Sequence, residues 1–347
     1  MSARFKALTH WVAQRHARAA HSCTLTAVAD DASFRRYYRL NLDNGSRIIM
    51  DAPPEKEPTR SFVDIALAWG EQKLPVPALY AADLSRGFVE LEDLGGTLLT
   101  DHLATLDEKA QLEWLQRAMT LSTQIAAQPA AALPPYNEQR LGMELDLFPE
   151  WALERWLDIP PPPHWQSLRN QLIRQILGQP QVTTHRDYHC GNLMVDAQQQ
   201  LRVIDFQGAW QGAIGYDPGS LLRDRNLPWS SDIQRAVFQH HHQATLDAGI
   251  SQETSLEQHL GWIDEASAQR SLKVLGLFCR LAQRDGKPRY LLNYELFFLE
   301  HLKQSLSAMV QRGAPNASMW KSLLEWLQHE FEPALTGALT TLKEQQR

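Results

Sequence analysis

The chain has 347 residues, 44% of them hydrophobic, enough for one large or two modest domains with a sizeable core. A formal net charge of −6 supplies no general field for nucleic acid or anionic membrane, so any phosphate binding must be local. Three widely separated cysteines, Cys23, Cys190 and Cys279, argue against a disulfide framework and for a reducing compartment. No apolar run approaches the roughly 20 residues that span a bilayer, and the N-terminus lacks a signal-peptide core, so the sequence predicts a cytoplasmic protein with no membrane, nucleic-acid or obligate protein partner.

Phe5, Leu8, Trp11, Val12 and Arg15 fall at helical spacing and read as an amphipathic capping helix rather than a presequence, although Arg4, Lys6, Arg15 and Arg18 precede the first acid, Asp30. Cys23 to Val28 and Arg36 to Leu42 read as strands, and Asn44-Gly45 is a two-residue hairpin signal leading into Arg47 to Met50. Pro53 to Pro58 breaks regular structure, after which Phe62 to Glu71 reads as a helix with Phe62, Ile65, Ala66 and Trp69 on one face. Phe88 to Leu91 is a further short strand. Beyond Gly96 apolar residues recur every three or four positions through Leu98 to Leu103, Leu112 to Ile125, Glu144 to Leu157 and Trp165 to Leu177. More helical patterns run from Asp232 to Leu342, including the aromatic-rich Tyr290 to Leu306. His240-His241-His242 lies on one of them, and because adjacent positions point around a helix, a solvated face is the better reading than a metal site. The pattern is α+β, with a small antiparallel sheet followed by a large, mainly helical part.

The stretch Val182 to Gln207 carries the chemistry. His185-Arg186-Asp187-Tyr188-His189-Cys190-Gly191-Asn192 fits H-R-D-x-x-x-x-N, in which the Asp is the base facing a substrate hydroxyl and the Asn a Mg²⁺ ligand. Leu193-Met194-Val195 and Leu201-Arg202-Val203-Ile204 are β-prone runs joined by the polar turn Asp196 to Gln200, and a hairpin there brings Asp205 back beside Asn192. Asp205 precedes Phe206 as the metal-binding Asp precedes Phe in D-F-G, with Gln207 in place of the Gly. Two oxygen ligands plus nucleotide phosphates suit Mg²⁺, and phosphoryl transfer needs mostly positioning and charge neutralisation from a protein. Cys190, inside this loop, reads as a packing residue rather than a nucleophile.

On these residues the chain resembles the aminoglycoside phosphotransferase and choline kinase group, which also uses H-x-D-x-H-x-x-N, matched by His185, Asp187, His189 and Asn192. Gly215-Tyr216-Asp217-Pro218-Gly219-Ser220-Leu221-Leu222-Arg223-Asp224 is similar to the group's segment after the second metal-binding Asp. More narrowly, Asp31 to Arg39, Met50 to Glu57 and Leu91 to Gly96 resemble the N-acetylmuramate/N-acetylglucosamine kinases of cell-wall recycling, which phosphorylate the anomeric hydroxyl. The resemblance implies a two-lobed protein-kinase-like fold, with residues 1–93 covering the nucleotide and ending in a hinge, and residues 94–347 holding the catalytic loop and acceptor site. It implies Mg²⁺ and ATP as cofactors and a small amino sugar as acceptor. Other small hydroxyl compounds, such as an aminoglycoside, choline or homoserine, and a nucleotide-binding pseudokinase are the alternatives.

Within that frame Asp30 to Arg36 occupies the place of a Gly-rich loop yet has no glycine, so Ser33 and Arg35 or Arg36 are the candidate phosphate contacts. Met50 falls where the strand lysine of V-A-I-K would stand, which leaves Arg36, Arg39 or Lys56 to supply the cation, with Glu57 or Asp64 as its counter-ion. Backbone groups from Glu90 through Leu91 and Asp93 to Leu94 are the expected adenine contacts. For the acceptor, Trp210 can stack on a sugar face, while His189, Arg223 and Glu144 can reach hydroxyls or a carboxylate. His185 and Asp217 are expected to support the loop, a role equally open to Arg223.

Overall fold

The computed structural model describes residues 2–17, 19, 23–30, 34–57, 59–130, 133–225, 229–252 and 254–346. Its helices are α1 (Ala3–Arg15), α2 (Thr59–Glu71), α3 (Leu99–Leu103), α4 (Glu108–Ala126), α5 (Glu138–Leu145), α6 (Trp165–Leu177), α7 (Tyr216–Leu222), α8 (Ser231–Asp247), α9 (Leu256–Gln283), α10 (Arg289–Gln311), α11 (Ala317–Trp326) and α12 (Glu332–Gln345). Its strands are β1 (Leu25–Asp30), β2 (Arg36–Leu42), β3 (Gly45–Asp51), β4 (Leu79–Asp83), β5 (Phe88–Glu92), β6 (Gln181–Thr184), β7 (Leu193–Val195), β8 (Leu201–Val203) and β9 (Trp210–Ala213). Two compact units result, Met1–Ala104 with Gly191–Gln207, and Thr105–Cys190 with Gly208–Arg347.

In the first unit an antiparallel sheet runs in the order β1-β2-β3-β5-β4. Strand side chains alternate between faces, so Tyr38, Leu40 and Leu42 of β2 share a face with Ile49 of β3 and Phe88 of β5, and α1 covers it with Leu8, Trp11 and Val12. Ser2 caps that helix by accepting the Phe5 amide at 3.2 Å. Tyr37, Arg39, Met50, Val89 and Leu91 belong to the opposite face. The expected hairpin is formed by β7 and β8, and the Asp196 carboxylate fixes its turn by accepting from the amides of Gln198 and Gln200. Arg202 on β8 donates to Glu92 at 2.6 Å, which ties the hairpin to the end of β5.

The second unit is built on α9, whose start is capped by Ser255 and whose buried residues join those of α5, α6 and α10 in one large core. The apolar pattern over Glu144 to Leu157 is divided, because α5 ends at Leu145 and a π-helix occupies Phe148–Leu157. Gly276 of α9 sits against this junction, where a Cβ would lie 2.2 Å from the Leu147 carbonyl carbon. A solvated His240–His242 face is incorrect for the middle residue: His241 is buried, with its Nδ1 2.9 Å from Nε2 of the buried His259. Its position on α8 turns it into the protein while His240 meets Thr120 and His242 meets the Thr254 carbonyl. All three cysteines are buried thiols, and burial pushes Cys190 up to about 12, so it packs and does not react at neutral pH. Among the described residues no helix is long and apolar enough to cross a membrane.

Candidate active site

The loop after β6 carries Asp187, and Asp217 at the start of α7 holds that loop in place. One carboxylate accepts both the His185 amide at 2.7 Å and the Arg186 amide at 2.9 Å. The second bond helps hold Arg186 at φ +72°, a left-handed conformation that costs a non-glycine residue about 1 kcal/mol or more. His185 is itself buried, and its Nδ1 accepts the Asp187 amide at 3.3 Å. The Asp187 side chain is 50% exposed and therefore reachable, with His189 Nε2 3.4 Å from its Oδ1 and Arg270 Nη2 3.6 Å away. Partial withdrawal from water pushes this carboxyl up, but the positive potential of His189, Arg270 and Arg225 wins and holds it well below the usual Asp range. The result is an anionic hydrogen-bond acceptor throughout the neutral range.

In the first unit, Ile204 donates its amide to the Asn192 carbonyl at 3.1 Å, so the hairpin closes with Asn192 and Asp205 at its two ends. Asp205 has φ +62°, and its Oδ1 accepts from Gln207 Nε2 at 2.6 Å. An amide oxygen and a carboxylate are hard donors of the kind Mg²⁺ takes, alongside waters and phosphate oxygens. Among the described residues there is no group of three or more His, Cys, Asp or Glu side chains placed to hold a metal ion. Behind Asp205, Phe206 is buried against Phe62 and Trp69 of α2, at ring separations of 4.9 and 5.7 Å.

The candidate nucleotide contacts separate by face. Arg36 sits on the α1 side, where it lines a recess of about 410 Å³ with Ser2, Arg4, Phe5, Tyr38 and Asp51. That is the face opposite Met50, so Arg36 does not stand in for the missing lysine. Arg39 shares the Met50 face but is engaged by Asp93 at 2.5 Å, and Lys56 lies over the Phe34 ring at 4.4 Å. Glu90 is buried on the α1 side, bound by Arg15 at 2.6 Å and His16 at 3.1 Å. Because β5 runs between β3 and β4, the main-chain groups of Glu90 and Leu91 are directed into the sheet, and the strand pairing ends at Glu92, just before Asp93. Asp93 also accepts from Ser46 and from the Gly95 amide, which fixes the chain as it leaves the sheet. Ser33 lies outside the described residues. Arg35, one residue before β2, is buried, with Nη2 3.2 Å from Glu57 and Nη1 4.0 Å from Asp205 Oδ1. Asp64 is exposed on α2.

The acceptor candidates also differ in their surroundings. Trp210 on β9 is half-buried, with Arg186 and Arg140 over its ring at 4.6 and 5.2 Å. Glu144 is buried and already engaged by the Tyr136 hydroxyl, Arg186 at 2.8 Å, Arg140 at 3.1 Å and Lys273 at 3.3 Å. Burial pushes the Glu144 carboxyl up, but Lys273 and Arg186 pull it down to about 2, so it is a fixed anion that positions Arg186. Arg223 is likewise internal, with Asp264 at 2.6 Å, Ser305 at 2.9 Å and Gln234 at 3.3 Å. His189 is buried against Asp187 on one side and Arg225 Nη2, 3.3 Å away, on the other.

Sequence reasoning missed Arg270, which bridges Asp187 and the buried Asp224, the latter at 2.5 Å. It comes from the middle of α9, where its neighbours are core residues and no local pattern marks it. It did not single out Arg186 either, although that residue lies inside the motif and its guanidinium packs over Tyr136 and Trp210.

A loop with an anionic Asp, a hairpin bearing two oxygen donors and a sheet-plus-helix architecture define a phosphotransferase. The chain belongs to the phosphotransferase enzyme family, which residues 24–255 match. The N-acetylmuramate/N-acetylglucosamine kinase of Pseudomonas aeruginosa is 37% identical over 283 residues, covering 79% of this chain and 81% of that protein. That of Neisseria meningitidis is 35% identical over 273 residues, covering 77% and 81%. Among solved structures, a choline/ethanolamine kinase family protein from Mesorhizobium loti superposes with a TM-score of 0.60 at 11% identity over 92% of this chain and 99% of that one. At that identity the likeness shows the fold alone, which is protein-kinase-like.

Proposed function

We propose that this enzyme transfers the γ-phosphate of ATP to the anomeric C1 hydroxyl of N-acetylmuramate and N-acetylglucosamine, giving the sugar 1-phosphate during peptidoglycan recycling in the cytoplasm. The observation that carries the acceptor is the 35–37% identity to kinases of these two sugars over about four-fifths of each chain. Asp187 accepts the proton of the attacking hydroxyl. Its low basicity suits an anomeric hydroxyl, which is more acidic than an ordinary alcohol and gives up its proton late, as charge leaves the nucleophile. Asn192 and Asp205 hold Mg²⁺, which supplies neutralisation of phosphate charge when bound. Asp217 and His185 keep the Asp187 loop in register, and Glu144 fixes Arg186 over the ring of Trp210, the aromatic residue that borders the sugar. Asp93 and Leu94 offer backbone to adenine. An acceptor set that includes both a carboxylate-bearing and a neutral sugar disfavours recognition by one buried arginine, whose unpaired charge would cost several kcal/mol with the neutral sugar. The internal pairing of Arg223 with Asp264 agrees with that.

The test is ADP release from Mg·ATP with N-acetylmuramate, N-acetylglucosamine, kanamycin, choline and homoserine, followed by phosphorus NMR of any product. A sugar 1-phosphate supports the proposal. Turnover with another acceptor alone would discard the sugar, and nucleotide binding without any turnover would favour a pseudokinase.

A further inference from the structure

We infer that Arg35 is the phosphate-binding cation of this enzyme, with Glu57 as its counter-ion, replacing the strand lysine that Met50 displaces. The inference rests on the reading that the chain uses Mg·ATP, but not on the identity of the acceptor.

Three observations converge on Arg35. First, the strand register sets the face: Tyr37 pairs with Met50 and Arg36 with Asp51, so the odd-numbered residues of β2 belong to the Met50 side. Arg35 continues that odd series one residue before the strand, whereas Arg36 goes to the α1 side. Second, Arg39, which shares this face, is committed to Asp93 at 2.5 Å, while Lys56 lines the recess on the α1 side with Arg36 and lies over the Phe34 ring at 4.4 Å. Third, Arg35 is 7% exposed and stands between two carboxylates, Glu57 at 3.2 Å and Asp205 at 4.0 Å. Glu57 also accepts the Phe34 amide at 3.2 Å, so it anchors the backbone of the segment as well as the guanidinium.

The charges in this cluster explain why the arrangement serves more than packing. One guanidinium against two carboxylates leaves a net charge of about −1, which attracts a divalent cation to Asp205. With Mg²⁺ present the sum turns to about +1, and the cluster then attracts polyphosphate. A guanidinium can turn its planar pair of N–H groups toward two phosphate oxygens, whereas the Met50 thioether has no donor to offer. An arginine reaching in from the start of β2 thus supplies the charge that would otherwise come from β3, and Glu57, just ahead of α2, supplies the partner usually carried on the helix itself.

The experiment is calorimetric binding of adenosine and of a Mg²⁺ complex of a non-hydrolysable ATP analogue to the full chain, for the wild type, Arg35→Gln and Arg35→Lys. Arg35→Gln is expected to weaken the Mg·nucleotide by ten- to a hundredfold while leaving adenosine within about twofold, with Arg35→Lys in between. A merely structural arginine would weaken both ligands together, and an idle one would weaken neither; either result overturns the assignment. Retained adenosine binding shows that a variant is folded, and if Arg35→Gln does not fold, Arg35→Lys decides by the same ratio. A wild type that binds no Mg·nucleotide would overturn the ATP reading and this assignment with it. Selective loss in a protein that phosphorylates no amino sugar would support Arg35 and sink only the acceptor.

Discussion

Arg270 Nη2 lies 3.6 Å from Asp187 Oδ1, and the same nitrogen is 2.5 Å from Oδ2 of the buried Asp224. One cation from α9 therefore serves the candidate base and a structural carboxylate together. Without a nearby positive charge, desolvation would raise the Asp187 carboxyl above its usual range. With Arg270, His189 and Arg225 beside it, the carboxyl stays well below its usual range and ionised.

Replacing Asp187 by Asn keeps the shape and removes the proton acceptor. The expected loss in kcat is about a hundredfold to ten-thousandfold, with Mg·nucleotide affinity unchanged, since neither Asn192 nor Asp205 is altered. Steady-state rates and calorimetric binding on the same preparation check this. Near-wild-type turnover would remove Asp187 from its role.

The depressed Asp187 carboxyl also fixes a pH dependence. A base that titrates below the ordinary Asp value remains ionised as the pH falls toward 5, so Asp187 contributes no acidic limb to kcat/KM in that range. Arg270→Lys moves the charge off the Asp187–Asp224 bridge, and the carboxyl should rise, bringing an acidic limb upward toward neutral pH. Rate profiles from pH 5 to 8 with the acceptor well below its KM measure it. Superimposable profiles for the two proteins would show that Arg270 does not tune the base.

Much of this was legible in the sequence where short-range rules operate. The Asn44-Gly45 turn fixes the β2–β3 register, and Leu193 to Val203 forms the hairpin its alternation and polar turn imply. The face of Arg36 was also there to be read, because Tyr38, Leu40 and Leu42 form an apolar alternation that includes its parity. Arg270 was not legible, since a buried arginine in a helix is recognised only by partners 46 and 83 residues away. His241 was misread for the same reason: its partner His259 comes from the next helix.

Arg223 separates a structural arginine from a substrate contact. It is buried against Asp264 at 2.6 Å, and burial pulls its guanidinium down to about 10. Arg312 also pairs with Asp264, so removing Arg223 leaves that carboxylate partly compensated. Arg223→Met is expected to lower unfolding stability by about 3 kcal/mol, toward the low end for a broken buried pair, and to leave the KM of the sugar within about twofold. Denaturant unfolding and acceptor kinetics decide between the roles. A large rise in acceptor KM at unchanged stability would return Arg223 to the substrate.

His241 and His259 give a stability signature independent of catalysis. Both are buried, their ring nitrogens are 2.9 Å apart, and His240, His242 and Trp262 stand around them. Burial, together with the neighbouring imidazoles, holds His241 well below the usual histidine range and His259 down to about 3. Protonating either ring in place would put a charge where one hydrogen bond joins two neutral imidazoles. Folded values below the unfolded one mean that the unfolded chain binds more protons between about pH 6.5 and pH 3. Their contribution to stability is therefore complete above pH 6.5 and is lost as the pH falls. Each histidine that titrates adds a slope of at most about 1.4 kcal/mol per pH unit. His259→Asn retains an amide to meet His241 but cannot titrate, so its unfolding free energy should fall less steeply between pH 6.5 and 5 than that of the wild type. Urea unfolding at half-unit pH steps compares the two slopes, and acid effects from the rest of the chain cancel in the difference. Parallel curves would mean that the buried pair is not held neutral.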